Sequence, residues 1–123
     1  MLVTLLAAAA AASCAIPRTQ VEMTRCAGQA YSAADAAMTR QWKTTYAYMK
    51  GRDARNTSRG GGFGYAPALL ESQRAWLKFR DTECVIEGGE FAGGSAQSTA
   101  QAQCKVRLTR QRTAQLQSLV WQG

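Results

Sequence analysis

Histidine is absent from all 123 residues. That removes the side chain that most often does general acid–base work near neutral pH, and with it the commonest metal ligand. Acids are scarce as well: 8 Asp and Glu stand against 15 Lys and Arg, a formal charge of +7. No C-x-x-C occurs, so the chain carries neither a zinc knuckle nor a thioredoxin-like redox motif. The longest apolar run, Leu2 to Ala12, falls short of the roughly 20 residues that a membrane-spanning helix needs. Strand-like alternation, internal repeats and a second linker are missing too. The length suits one domain and not two. With 46% hydrophobic residues that domain can form a real core.

The N-terminal stretch "MLVTLLAAAAAASCA" carries no charge. It fits the apolar region of a signal peptide over residues 1–12, with small residues supplying an A-x-A cleavage site at Ala10 to Ala12. No Lys or Arg precedes it; the alternative is a buried Ala-rich helix. The mature domain is then 13–123. The cysteines agree with export. Cys14, Cys26, Cys84 and Cys104 make an even set, which in a small exported protein reads as two disulfides. Of three pairings, Cys14–Cys26 with Cys84–Cys104 is the most local. Cys14 has a rival reading as a lipid-anchoring site, because "AASC" loosely resembles a lipobox. That reading strands Cys26 without a partner, so a periplasmic or secreted soluble protein is the expectation.

Helical periodicity runs through the mature chain. Thr19 and Glu22 form a T-x-x-E capping box, and Ser32 with Asp35 offers a second start, so a break near Gly28 is expected. Tyr31, Ala34, Met38, Trp42, Tyr46 and Met49 recur at helical steps and form one apolar stripe, with Gly51 as the stop. The Gly- and Arg-rich segment 51–67 reads as a loop. A second helix is expected over 66–87, its inner face formed by Leu69, Leu70, Gln73, Trp76, Leu77, Arg80 and Cys84. "GGEFAGGS" ends it. A third helix covers about 97–120, with Cys104, Leu108, Arg112, Leu116, Leu119 and Val120 inward. The fold class is therefore all-α, a small three-helix domain stapled by two disulfides.

Catalytic chemistry finds little support. No base accompanies any serine or cysteine, and Asp81, Glu83, Glu87 and Glu90, though close in sequence, read as a solvated helix face. "RGGGFG" lacks the G-K-[ST] ending of a phosphate-binding loop, and no strand precedes it. The expectation is a non-enzyme without cofactor or metal. Lys50, Arg52, Arg55 and Arg59, opposed only by Asp53, form a basic segment suited to an anionic polymer or nucleic acid, or merely to solubility. Asn56 opens an N-T-S sequon.

Each apolar stripe holds one charge: Asp35, Arg80 and Arg112. A buried unpaired charge is too costly to persist, so these three should form an interhelical ion network that fixes helix register. Arginine suits that role because its planar fork takes a carboxylate and its face stacks on Trp76. On this reading, removing Asp35 costs roughly 3 kcal/mol or more.

"CAIPRTQVEMTRCAGQAYSAADAAM", "LLESQRAWLKFRDTEC", a Gly-Gly-Ser turn and a final Cys leading into "LTRQRTAQLQSL" together resemble the LprI-type lysozyme-inhibitor family of small exported bacterial proteins. The matching positions are Cys14, Gln20, Glu22, Met23, Cys26, Asp35, Gln73, Arg74, Trp76, Arg80, Asp81, Cys84, Ser95, Cys104, Arg112 and Leu116. Met38, Thr39 and Gln115 depart from the family's habit. The resemblance implies an extracytoplasmic helical protein, and inhibition of lysozyme is the activity named for one branch of the family. Many lysozymes are themselves basic, so a +7 chain needs a local patch to bind one. The segment between Cys84 and Cys104 offers it, with Glu87, Glu90, Phe91 and Ser95 on a disulfide-pinned base. A plain connection with Phe91 tucked into the core is the bland alternative. A basic envelope protein binding anionic polymers or nucleic acid is the second functional reading, and an unrecognised enzyme the third.

Overall fold

The computed structural model describes residues 14–55 and 64–121. The expected signal peptide over 1–12, the sequon at Asn56 and Arg59 lie outside them. The described residues build three long helices: α1 (Gln20–Arg55), α2 (Tyr65–Gly88) and α3 (Ala96–Ser118). A single 3-10 turn, Gly89–Phe91, sits between the last two. The architecture is the all-α, three-helix domain that the periodicity indicates, with disulfides Cys14–Cys26 and Cys84–Cys104. On the loop-entropy account each bridge adds about 3 kcal/mol of stability.

Cross-helix bonds give the topology. Thr24 meets Thr99, and the Thr45 hydroxyl donates to the Leu116 carbonyl at 2.8 Å, so α1 and α3 run parallel. Asp35 meets Arg80, and Arg112 meets Gln73, so α2 runs antiparallel to both. One end of the bundle therefore gathers the disulfides, and the other gathers the end of α1, the start of α2 and Trp121.

α1 starts as the capping box predicts, in part. The Thr19 hydroxyl accepts from the Glu22 amide at 3.1 Å, but the Glu22 carboxylate reaches one residue further back, to the Arg18 amide at 2.8 Å. The expected break near Gly28 does not occur. Nothing stands within 4 Å of a Cβ built at Gly28, so this glycine neither turns the chain nor permits a close approach. A lone helical glycine costs only about 1 kcal/mol, and tertiary packing along 36 residues overrides it. Gly51 likewise fails to stop α1, which continues to Arg55. Lys50, Arg52 and Arg55 therefore belong to the helix, not to a loop.

Continuing α1 has a purpose at its far end. Asp53 caps the next helix across the connection: its carboxylate accepts from the amides of Tyr65 (3.0 Å) and Ala66 (2.9 Å). Pro67 has no amide to satisfy, and Ala68 donates to the Gly64 carbonyl at 3.1 Å. Every donor in the first turn of α2 is thus accounted for. Gly64, with φ +78°, takes the left-handed conformation that leads into this cap. Beside it, the Tyr48 hydroxyl donates to the Trp121 carbonyl at 2.6 Å, and Tyr48 and Tyr65 meet the Trp121 ring edge-on.

The apolar core sits toward this end: Met38, Met49, Ala66, Leu69 and Leu116, flanked by Trp42, Trp76 and Leu119. Toward the disulfide end apolar side chains thin out. Thr99 and Thr109 take inward positions there, Thr109 fully buried and Thr99 nearly so, while the fully buried Thr45 lies at the apolar end beside Leu116. Thr99 bonds Gln20 at 2.8 Å and Thr24 at 2.6 Å. On α3 the inward face is Thr99, Cys104, Val106, Thr109, Arg112 and Leu116; Leu108, expected inside, is only half-buried.

Asp53→Ala removes both cap bonds at the start of α2. Loss of such a cap costs about 0.5–2 kcal/mol, so the variant should show a lower urea midpoint at unchanged m-value. An unaltered midpoint contradicts the capping role.

Candidate functional site

Two places merit a functional reading: the arginine network in the core and the disulfide end of α2.

The structure brings Asp35 and Arg80 together. Arg80 Nη1 lies 3.2 Å from Asp35 Oδ1 and 3.3 Å from the buried Thr109 hydroxyl, and its Nε donates to Asp81 Oδ1 at 2.9 Å. The guanidinium carbon stands 5.3 Å from the ring centroids of both Tyr31 and Trp76. Burial by itself lowers the Arg80 pKa; the hydrogen bond and charge of Asp81, with Tyr31 and Asp35, more than offset that and leave it above the usual arginine value. Burial also pushes the Tyr31 hydroxyl up.

Arg112 does not join this ion pair. It bonds neutral groups instead: Gln73 Oε1 at 2.9 Å, the Ser72 hydroxyl at 3.1 Å and Gln115 Oε1 at 3.3 Å. No carboxylate partners it among the described residues, and burial lowers its pKa. A guanidinium fits this role because its positive charge is delocalised and weakly hydrated, and its five donors are spread over amide and hydroxyl oxygens. The expectation of one network linking Asp35, Arg80 and Arg112 is therefore corrected: two clusters flank Trp76, one ionic and one neutral. Their geometry ties three helices together and leaves both guanidiniums engaged, so it has the character of scaffolding.

The disulfide end of α2 has a different character. Residues 81–95 hold four acids, Asp81, Glu83, Glu87 and Glu90, and no Lys or Arg, in a chain of net charge +7. Asp81 is taken by Arg80. Glu87 is taken by Arg107, whose Nη2 lies 2.7 and 2.8 Å from its two oxygens. Glu87 thus straps α2 to α3 beside Cys84–Cys104 and presents no free charge. Glu83 and Glu90 have no ion-pair partner among the described residues.

Apolar side chains share this surface. Phe79 is 51% exposed, Val85 61%, Ile86 71% and Phe91 44%. Phe79 and Ile86 lie seven residues apart on one face of α2, and Glu83 falls between them. Phe91 is not tucked into the core. The segment carrying it is built of successive turns: Ala92 donates to the Gly89 carbonyl, Gly94 to Phe91 and Gln97 to Gly94. Gly93, at φ +82°, supplies the left-handed step. Gly88 is buried, and a Cβ there would meet Gln101 Cγ at 2.4 Å, so glycine lets α2 approach α3 closely. Ser95 is exposed at the N-cap of α3 and makes no side-chain cap bond.

Of the residues expected at the contact, Glu90, Phe91 and Ser95 are exposed together, whereas Glu87 faces Arg107. Phe79 and Ile86 escaped the sequence reading, which took Glu83 only as part of a solvated helix face. Their signal was present: hydrophobic residues at i and i+7 lie off the Trp76–Arg80–Cys84 stripe, where solvent-facing polar residues belong. Among the described residues no group of acids and cysteines is placed to hold a metal, and no helix is long and apolar enough to cross a membrane.

The family model for lysozyme inhibitor LprI matches residues 10–116. The chain belongs to the LprI family. An uncharacterized protein of Rhizobium meliloti (strain 1021) is 35% identical over 102 residues, which is 82% of this chain and 73% of that relative. No solved structure matches it significantly. The match includes all four cysteines and both core arginines, so scaffold and α2 surface alike lie inside the LprI region.

Asp35→Ala should destabilise the fold by about 1–2 kcal/mol, less than the 3 kcal/mol of a fully buried pair, because Asp35 is 43% exposed and Asp81 still holds Arg80. Chemical denaturation measures this; a loss as large as the buried-pair value would mean that Asp81 gives no compensation.

Proposed function

We propose that this LprI-family protein is an exported binding protein that blocks a lysozyme, with the acidic and apolar surface at the disulfide end of α2 as its contact. One observation carries the placement: the unpaired Glu83 and Glu90 stand among exposed Phe79, Ile86 and Phe91, on an otherwise basic molecule. A basic lysozyme is repelled by the molecule as a whole but attracted by this island, which orients the encounter. Aromatic anchors such as Phe91 then supply the buried contact. The disulfide and the Glu87–Arg107 strap hold the segment in shape before binding, which lowers the ordering cost. The protein acts by occupying its partner's surface and performs no chemistry of its own. Two disulfides suit an oxidising compartment outside the cytoplasm, and with Cys14 bound to Cys26 the protein is soluble there rather than anchored through Cys14.

The oxidised protein should slow lysozyme's clearing of cell-wall suspensions in a turbidity assay at moderate salt. Phe91→Ala should weaken inhibition about tenfold, equivalent to about 1.4 kcal/mol. Glu90→Lys should weaken it further by slowing association. Arg55→Ala, at the far end of α1, should leave it unchanged. Inhibition that survives Phe91→Ala and is lost in Arg55→Ala would move the contact to the other end, and no inhibition of any lysozyme type would reject the function.

A further inference from the structure

A second surface stays outside this reading. The outward face of α1 is exposed at every step from Arg25 through Gln29, Ser32, Ala36, Arg40, Lys43, Ala47 and Lys50. Four of these eight positions are cations and none is an acid. Between residues 23 and 52 the only acid is Asp35, which turns toward Arg80. The gap between Arg25 and Arg40 is filled from α3. Arg110 lies in the shallow groove between α1 and α3, beside Ala30 and Ala33, where two adjoining hollows of about 260 and 280 Å3 share it. Arg40, Lys43 and Arg110 have no ion-pair partner among the described residues. At about 1.5 Å per residue, the row from Arg25 to Lys50 spans about 38 Å.

We infer that this row is a docking track for a linear acidic polysaccharide, a chain carrying carboxylate groups at intervals along a hydroxyl-rich backbone. Charge complementarity selects a polyanion, because four cations along α1 with Arg110 beside them offer a sequence-independent attraction that no single anion would need. The alanines at 30, 33 and 37 let a chain lie close to the helix backbone, and Gln103 and Thr113 edge the groove with donors and acceptors for hydroxyls. Single-stranded nucleic acid is disfavoured, since no aromatic side chain lines the groove on which a base would stack. Two disulfides suit an oxidising compartment outside the cytoplasm. A membrane contact lacks the apolar residues that an interfacial helix inserts. The track is separate from the acidic island on α2 and does not depend on lysozyme binding.

The test uses the whole oxidised protein and alginate, a polyuronate, with neutral dextran and duplex DNA as comparison ligands. Alginate should bind, dextran should not, and affinity should fall about tenfold or more between about 50 and 200 mM salt. Arg40→Glu/Arg110→Glu should weaken alginate binding about tenfold or more. Arg74→Glu/Lys78→Glu, an equal charge change on exposed positions of α2, should weaken it less than threefold or so. Circular dichroism checks that both variants fold, and lysozyme inhibition by the α1/α3 variant should not be weakened. Equal loss in the two variants would show attraction by net charge and overturn the track. Duplex DNA binding as tightly as alginate would overturn the glycan as its occupant.

Discussion

Two buried arginines govern this small domain. A guanidinium in a protein interior cannot shed its charge, so the chain must place acceptors around it or fail to fold. Arg80 draws Asp35 from α1, Asp81 from its own helix and Thr109 from α3. Arg112 draws Gln73 and Ser72 from α2 and Gln115 from α3. A slip of one residue along any helix breaks several of these bonds at once. Leucines tolerate sliding; these contacts do not. The core thus buys register with polar geometry, at a cost in apolar area that the disulfides help to offset. The fully buried threonines follow the same logic, since each hydroxyl finds its acceptor or donor across a helix interface.

This rigid frame lets a +7 chain keep an acidic corner. Asp81 and Glu87 are consumed by Arg80 and Arg107, which holds the end of α2 against α3 and leaves the half-buried Glu83 and the exposed Glu90 without ion pairs near Phe79, Ile86 and Phe91. Arg25, Arg40, Lys43 and Lys50, in contrast, line the outer side of α1. Separation of charge over two faces turns one small helical domain into a molecule with two distinct sides. Opposite charges intermixed over the same surface would cancel beyond a Debye length of about 8–10 Å.

Much of the fold was legible in the residues. The Trp76–Arg80–Cys84 and Met38–Trp42–Met49 spacings mark helical faces, and the turn-rich stretches separate three helices. The family resemblance, carried by the cysteines and by "QRAWLKFRDTEC", reaches to the same conclusion as the family match. Local rules failed where long-range packing outweighs them. Gly28 and Gly51 are stop signals in isolation, yet both sit inside a continuous α1 because α1 packs along its length on α2 and α3. Threonine passes as a surface residue by composition, yet Thr45, Thr99 and Thr109 are core. Counting threonine as half apolar recovers the Thr99–Val106–Thr109–Leu116 spacing.

By itself the sequence determined the helix content, the cysteine arithmetic, the charged positions on apolar stripes and the family. Those are properties of neighbours within a turn or two, or of motifs read in order. Which carboxylate meets which arginine was decided only by the tertiary structure, because Asp35 and Arg80, and Glu87 and Arg107, come close only when three helices are in register. The same holds for the functional surfaces. Glu87 and Glu90 are three residues apart and chemically alike, but one faces Arg107 and the other faces solvent. Arg110 joins the α1 cations only because α3 packs beside Ala33. Long-range proximity is set by packing, and a linear string of residue types does not encode it one position at a time.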